Sequence, residues 1–242
     1  FDGEDIIDII LEQEACPRFI ARHLYNFFVE DEPQVPAWNI EPPNNPEAVE
    51  YLADLLVESN YEIKPVLREL FNSDFFKESA YKRVRSPIEL IVGTLRLAED
   101  LIGPDPRVQE AVYQPGFMGQ ELMDPPSVEG WHTGKEWINS GALVQRVNFV
   151  SDTMSDVTLP GVKKIIGRVA EGSATMSPEV LVERCLEFMG PLPVKDKTRQ
   201  ELIDHAMEHG DVGWDEDSYQ DSAEKAAQML ALIASTREYQ FG

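Results

Sequence analysis

The densest chemistry in this 242-residue chain lies between residues 124 and 140, DPPSVEGWHTGKEWINS. Trp131 and Trp137 would supply flat apolar walls, and His132 and Glu136 could exchange protons near neutral pH. Lys135 could hold an anion, and Asn139 could orient a ligand. This mixture suits a groove for carbohydrate or peptide, with His132 and Glu136 as the acid/base candidates. The same residues also have a structural reading, because tryptophans anchor long loops to a core and Asn or His satisfies loop backbone groups.

A second constellation is His205-Ala-Met-Glu208-His209, which matches the H-x-x-E-H pattern of inverted zinc proteases. On a helix the two histidines stand one turn apart, where they could share zinc while Glu208 acts as base. Only 33 residues follow, Gly210 to Gly242, and the helix breaks at once in GDVGWDEDS, so no further acidic ligand is supplied from well downstream. His205 and His209 are therefore weak metal candidates, and a solvated helix end is the preferred reading. Arg18, Arg22, His23, Arg83 and Arg85 form rare positive spots that could bind an anionic substrate group; the preferred reading is that they pair with local carboxylates such as Glu12, Glu14 or Glu89. The chain has no Gly-rich phosphate loop, nucleophile elbow or Cys-His pair, so no cofactor is expected.

The elements that must position these residues read as helices. Apolar steps of three and four residues mark 3–13, 17–30, 46–59, 63–72 and 86–102 before the central loop. They recur at 135–150, 160–170, 178–189, 196–209 and 219–237. A capping residue followed by proline opens several of them, at Asn45-Pro46, Ser86-Pro87, Asp105-Pro106 and Ser177-Pro178. Ser86 with Glu89 makes a capping box, and the following apolar face reads as Ile88, Ile91, Val92, Leu95 and Ala98. The first two helices should pack as an antiparallel pair, the next two should repeat the design, and Phe71, Phe75 and Phe76 should close it. The proline-rich piece 31–45 reads as an ordered strap pinned by Trp38. The fold class is all-α: an irregular bundle of paired helices with a long ordered Pro/Gly-rich loop over 115–134. Polar turns near 151–160 suggest a helical domain over 1–150, with the strap and the Trp-rich loop, and a smaller acidic helical subdomain over 151–242 packed on it.

Composition removes several functions. With 21 Lys+Arg against 44 Asp+Glu, the net charge of −23 opposes binding to nucleic acid or to an anionic membrane surface. Nine acids and no Lys or Arg between Glu201 and Glu224 read first as a solvated face, with divalent-cation or cationic-partner binding as the alternative. No apolar run is long enough to span a membrane. Cys16 and Cys185, in separate helical segments, read as buried free thiols, with one long-range disulfide possible in an exported protein.

Four stretches carry a family resemblance. GWHTGKEWINSGALVQRVNF resembles the Gly-Trp-x-x-Gly-x-x-Trp-Ile-Asn…Arg-x-Asn motif of the bacterial family called domain of unknown function 1800. FDGEDIIDIILEQEACPRFIARHLYNFFV, RVRSPIELIVGTLR and ALIASTREYQF are similar to further segments of that family. The matching motif positions here are Gly130, Trp131, Gly134, Trp137, Ile138, Asn139, Arg146 and Asn148. The resemblance implies the C-terminal half of a longer exported protein, acting with its N-terminal half and with a sulfatase-like exported partner. It assigns no catalytic residue.

The binding set expected on these grounds is Trp131, Lys135, Trp137, Asn139, Arg146 and Asn148. The function expected is a binding or scaffolding module. The alternative is a hydrolase or lyase acting on an extracellular polymer through the Trp131–Trp137 loop. An enzyme should converge Trp131, His132 and Glu136 on an open pocket, whereas a scaffold should bury the tryptophans and leave His132 outside.

Overall fold

The structure, a computed structural model, describes residues 2–190 and 192–242. The fold is all-α, with twelve helices and one two-stranded sheet among the described residues. By its internal contacts the chain divides into two compact units, Phe1–Arg83 and Val84–Gly242. The boundary expected at 150/151 falls inside a continuous helix, so the polar turn residues from 151 to 155 extend that helix rather than end a domain.

The first unit contains α1 (Gly3–Leu11), α2 (Ala15–Phe28), α3 (Pro46–Glu58), α4 (Ile63–Asn72) and the short α5 (Asp74–Lys77). Its core is built by α2 against α3, through Ala21, Tyr25, Val49, Leu52 and Leu56. The expected α1–α2 pair is slight by comparison. No residue of α1 is buried, and Ile6, Ile7, Ile9 and Ile10 stay exposed, because the inner face of α2 is already occupied by α3 and the strap. Of the expected aromatic closure, Phe71 and Phe76 meet edge to face at 5.2 Å and Phe28 of α2 joins Phe71 at 5.1 Å, while Phe75 lies beside Tyr25 at 6.3 Å instead.

The strap 31–45 is ordered by one buried ion pair. Arg22 donates from Nε and Nη2 to Glu32 Oε2 at 2.9 and 2.7 Å, and from Nη1 to the Glu41 carbonyl at 2.9 Å. Glu32 Oε1 accepts from the Asn44 backbone N–H at 2.8 Å, so both carboxylate oxygens hold the strap. Trp38 lies under the Arg22 guanidinium at 4.6 Å, and its indole N–H donates to the Pro33 carbonyl at 2.7 Å. Arg18 pairs with Glu50 through two bonds of 2.8 Å. Of the cationic cluster, Arg18 and Arg22 pair with carboxylates, though with Glu50 of α3 and Glu32 of the strap rather than with Glu12, Glu14 or Glu89, whereas Arg83 and Arg85 lie over the rings of Phe27 and Tyr239.

The second unit contains α6 (Pro87–Leu97), α7 (Val108–Phe117), α8 (Ser140–Ser155), α9 (Pro160–Ala170), α10 (Pro178–Met189), α11 (Asp196–His209) and α12 (Tyr219–Ser235). Strands β1 (Thr175–Met176) and β2 (Val212–Gly213) form a minimal antiparallel pair. The α8–α12 packing dominates, with α10 bridging α9, α11 and α12. The Ser86 capping box is present, but the buried face of α6 is Leu90, Ile91, Thr94 and Ala98, while Val92 is exposed. Thr94 can lie inward because its hydroxyl donates to the Leu90 carbonyl and meets the Tyr239 hydroxyl at 3.1 Å. Asp105-Pro106 opens a turn rather than a helix: Asp105 engages the backbone and guanidinium of Arg107, and α7 begins only at Val108.

Helices α6 and α9 meet end to end. Pro160 has no N–H to satisfy, and the next N–H, of Gly161, donates to the Ala98 carbonyl at 2.9 Å. A free donor at one helix start thus satisfies a free acceptor at another helix end. The approach requires glycine, since a Cβ at residue 161 would lie 2.2 Å from the Leu97 carbonyl oxygen.

Candidate functional site

The Trp-rich loop enters the second unit as a frame. Gln120 Oε1 accepts from the Ile88 N–H at 3.0 Å, tying the loop to the first turn of α6. Trp131 is half-buried, and its indole N–H donates to the Glu121 carbonyl at 2.9 Å. Trp137 is buried at 4% exposure and packs beside Gly119, whose φ of +94° lets the chain turn under the ring. A 3-10 turn spans Gly134–Trp137, and Asn139 then caps α8 by accepting from the Ala142 N–H at 3.0 Å. This cap starts α8 five residues later than the spacing suggested.

His132 and Glu136 do not converge on a cavity. Their side chains are 64% and 45% exposed, and His132 Nδ1 contacts Glu136 Oε2 at the surface. Asn148 is exposed on α8. Arg146 has the opposite fate. It is fully buried, donates from Nε to Gln240 Oε1 at 2.9 Å and from Nη2 to the Arg85 carbonyl at 2.8 Å, and leaves Nη1 without a partner. Burial, with Arg85 nearby, pushes its pKa down to about 10, although Glu89 opposes the shift. Arg146 therefore joins three of the family-like segments: its own helix, the RVRSPIEL stretch at Arg85 and the EYQF stretch at Gln240.

Above this junction lies an apolar groove of about 570 Å³. Lys135 and Ile138 come from the Trp-rich loop, and Leu143 and Val147 from one face of α8. Val84 and Phe241, which pair as an antiparallel bridge, supply another wall. Ser235, Arg237 and Gln240 complete the lining from the end of α12 and the 3-10 turn that follows. Of the expected binding residues, Lys135 lines the groove, and Arg146 reaches it only through Gln240. Trp131, Trp137 and Asn139 support the loop instead. Val84, Leu143, Val147, Arg237 and Phe241 were not expected; the i, i+4 spacing of Leu143 and Val147 was the available signal.

The remaining sequence candidates stay apart from this groove. His205 and His209 stack edge to face at 5.2 Å near the end of α11, and among the described residues no group of three His, Cys, Asp or Glu side chains could hold a metal ion. Both cysteines are free. Cys185 is buried in α10, and burial pushes its thiol up to about 12, which makes it inert near neutral pH. Among the described residues no helix is long and apolar enough to cross a membrane.

The chain belongs to the family described as "Protein of unknown function (DUF1800)", whose model matches residues 1–241. No curated protein and no solved structure matches it.

Proposed function

We propose that this chain is a binding module whose binding element is the groove between the Trp-rich loop, α8 and the C-terminal turn. The observation that carries this reading is the division of labour within the family motif. Trp137, Asn139 and Arg146 are engaged in packing, capping and buried hydrogen bonds, while Lys135 and Ile138 of the same segment face an open apolar space. A volume of about 570 Å³ falls within the usual range for small-molecule sites. The acid/base pair His132–Glu136 lies outside the lining, which favours binding over polymer hydrolysis or elimination.

The family resemblance supports a wider role: an exported protein acting with an N-terminal half of the same protein and with a sulfatase-like exported partner. Fractionation and co-purification from the native host test that role. A chain retained in the cytoplasm, with neither partner recovered, contradicts it.

The groove itself is tested with a neutral, environment-sensitive apolar dye, N-phenyl-1-naphthylamine. Binding should be lost in Val147→Trp, which fills the groove, and retained in the double variant His132→Ala/Glu136→Gln. Dye binding indifferent to Val147→Trp, or a polymer-cleaving activity that depends on His132 and Glu136, would overturn the reading.

A further inference from the structure

The apolar groove carries two cationic side chains in its lining, Lys135 and Arg237. Several cations elsewhere in the chain pair with carboxylates: Arg18 with Glu50, Arg107 with Asp100 and Asp105, Lys164 with Glu99, Arg199 with Glu183. Lys135 and Arg237, both exposed, line the groove and form no ion pair among the described residues. Beneath it, Arg146 bonds only to an amide oxygen and a carbonyl, and Arg85 stacks on Tyr239 at 5.0 Å. Two cations without an ion-pair partner thus line one apolar space, and Arg146 lies behind it through Gln240, in a chain of net charge −23.

The walls suit a hydrocarbon tail. Val84, Ile138, Leu143, Val147 and Phe241 offer carbon surface, and the neutral polar groups already have partners. The Ser235 hydroxyl donates to the Ala231 carbonyl, and Gln240 serves Arg146 and the Ala234 carbonyl. A peptide laid here would lack partners for its own N–H and C=O groups, a cost that an alkyl chain does not carry.

Resting on the groove reading above, we infer that the ligand class is an anionic amphiphile: a single carboxylate or similar anionic head held by Lys135 and Arg237, with an aliphatic tail along Leu143, Val147 and Phe241. The overall negative charge does not forbid this. At physiological ionic strength charges beyond about 8 Å are largely screened, whereas the head meets Lys135 and Arg237 in contact. An ammonium-headed amphiphile would meet the opposite outcome at the same place.

The test is calorimetric titration of the whole chain with sodium dodecanoate below its micelle concentration, beside dodecanol and dodecyltrimethylammonium. Dodecanoate should bind one per chain and at least about tenfold more tightly than either comparison ligand, since hydrogen bonds to charged groups discriminate by this order. Shortening to decanoate should weaken binding by about fourfold per methylene removed. The double variant Lys135→Gln/Arg237→Gln, at exposed positions where folding is not at risk, should erase the preference for carboxylate while leaving dodecanol unchanged. Val147→Trp should abolish binding of all three, and Leu143→Glu serves if that variant fails to fold. Equal binding of the three ligands, still blocked by Val147→Trp, overturns the anionic head and leaves the groove reading standing. Binding that neither groove variant affects overturns both.

Discussion

Replacing Gly161 by alanine decides between two physical effects of opposite sign. Helix propensity alone makes Gly→Ala in a helix stabilising by up to about 1 kcal/mol. At residue 161, however, the new Cβ would sit 2.2 Å from the Leu97 carbonyl oxygen, 2.5 Å from the Ala98 carbonyl carbon and 2.8 Å from its oxygen. These are backbone atoms that no rotamer change can move aside. Restoring ordinary contact requires α6 and α9 to part by about 1 Å, which stretches the Gly161–Ala98 hydrogen bond of 2.9 Å beyond useful length. Overpacking costs about 1–3 kcal/mol, and stranding a buried donor and acceptor costs a similar amount. After subtracting the propensity gain, the net destabilisation is about 3 kcal/mol, equivalent to a melting shift of roughly 6–12 °C for a unit of this size. Gly167, on the same helix, has no heavy atom within 4 Å of its would-be Cβ, so Gly167→Ala should gain up to about 1 kcal/mol. Calorimetric melts of both variants against the parent read the two signs directly. Shifts in the same direction, or a Gly161→Ala change under about 0.5 kcal/mol, would refute the end-to-end packing of α6 on α9.

Three further outcomes follow from the described contacts. Arg22→Ala leaves the Glu32 carboxylate buried without its counter-charge and should destabilise the first unit by about 3–5 kcal/mol in urea unfolding; a loss below about 1 kcal/mol would contradict the role given to the pair. Trp137→Ala should cost about 3–5 kcal/mol through lost burial, whereas His132→Ala/Glu136→Gln, on an exposed pair, should stay within about 0.5 kcal/mol of the parent; the reverse ranking would return the loop to the status of an active site. Because the Cys185 thiol lies at about 12, only about one part in 10⁴ is thiolate at pH 8, so a disulfide exchange reagent should titrate it only after unfolding; rapid labelling of Cys185 in the native protein would place it outside the core.

Helix existence and type were legible because caps and periodicity agree at the same residues. Ser86, Pro87 and Glu89 announce α6, and Asn45-Pro46 announces α3 with the expected side-chain cap on Ala48. The strap was legible through its prolines and Trp38. Failures came where one residue had two uses. Asn139 read as a ligand-facing amide but is a helix cap, which displaced the start of α8. The Ile-Ile-Asp-Ile-Ile pattern of α1 read as a packing face, yet α2 gives its own inner face to α3. Helix α7 was announced only by Asp105-Pro106, because Pro115 reads as a loop residue and, apart from it, the helix buries little. The groove was the least legible part, since Val84 and Phe241 meet only through tertiary pairing and Arg146 carries no sequence mark of being buried. The matching of the GWHTGKEWINS, RVRSPIEL and EYQF stretches to one family was the trace of that meeting; their convergence on Arg146 gives it a physical cause.

The central claim is that ligand binds at the groove and not merely to exposed apolar surface. The most direct measurement is methyl NMR of isoleucine-, leucine- and valine-labelled protein during titration with sodium dodecanoate. The groove predicts saturable shifts at Ile138, Leu143 and Val147, with the exposed isoleucines of α1 unmoved. Shifts led by Ile6, Ile7, Ile9 and Ile10, with the groove methyls silent, would contradict it.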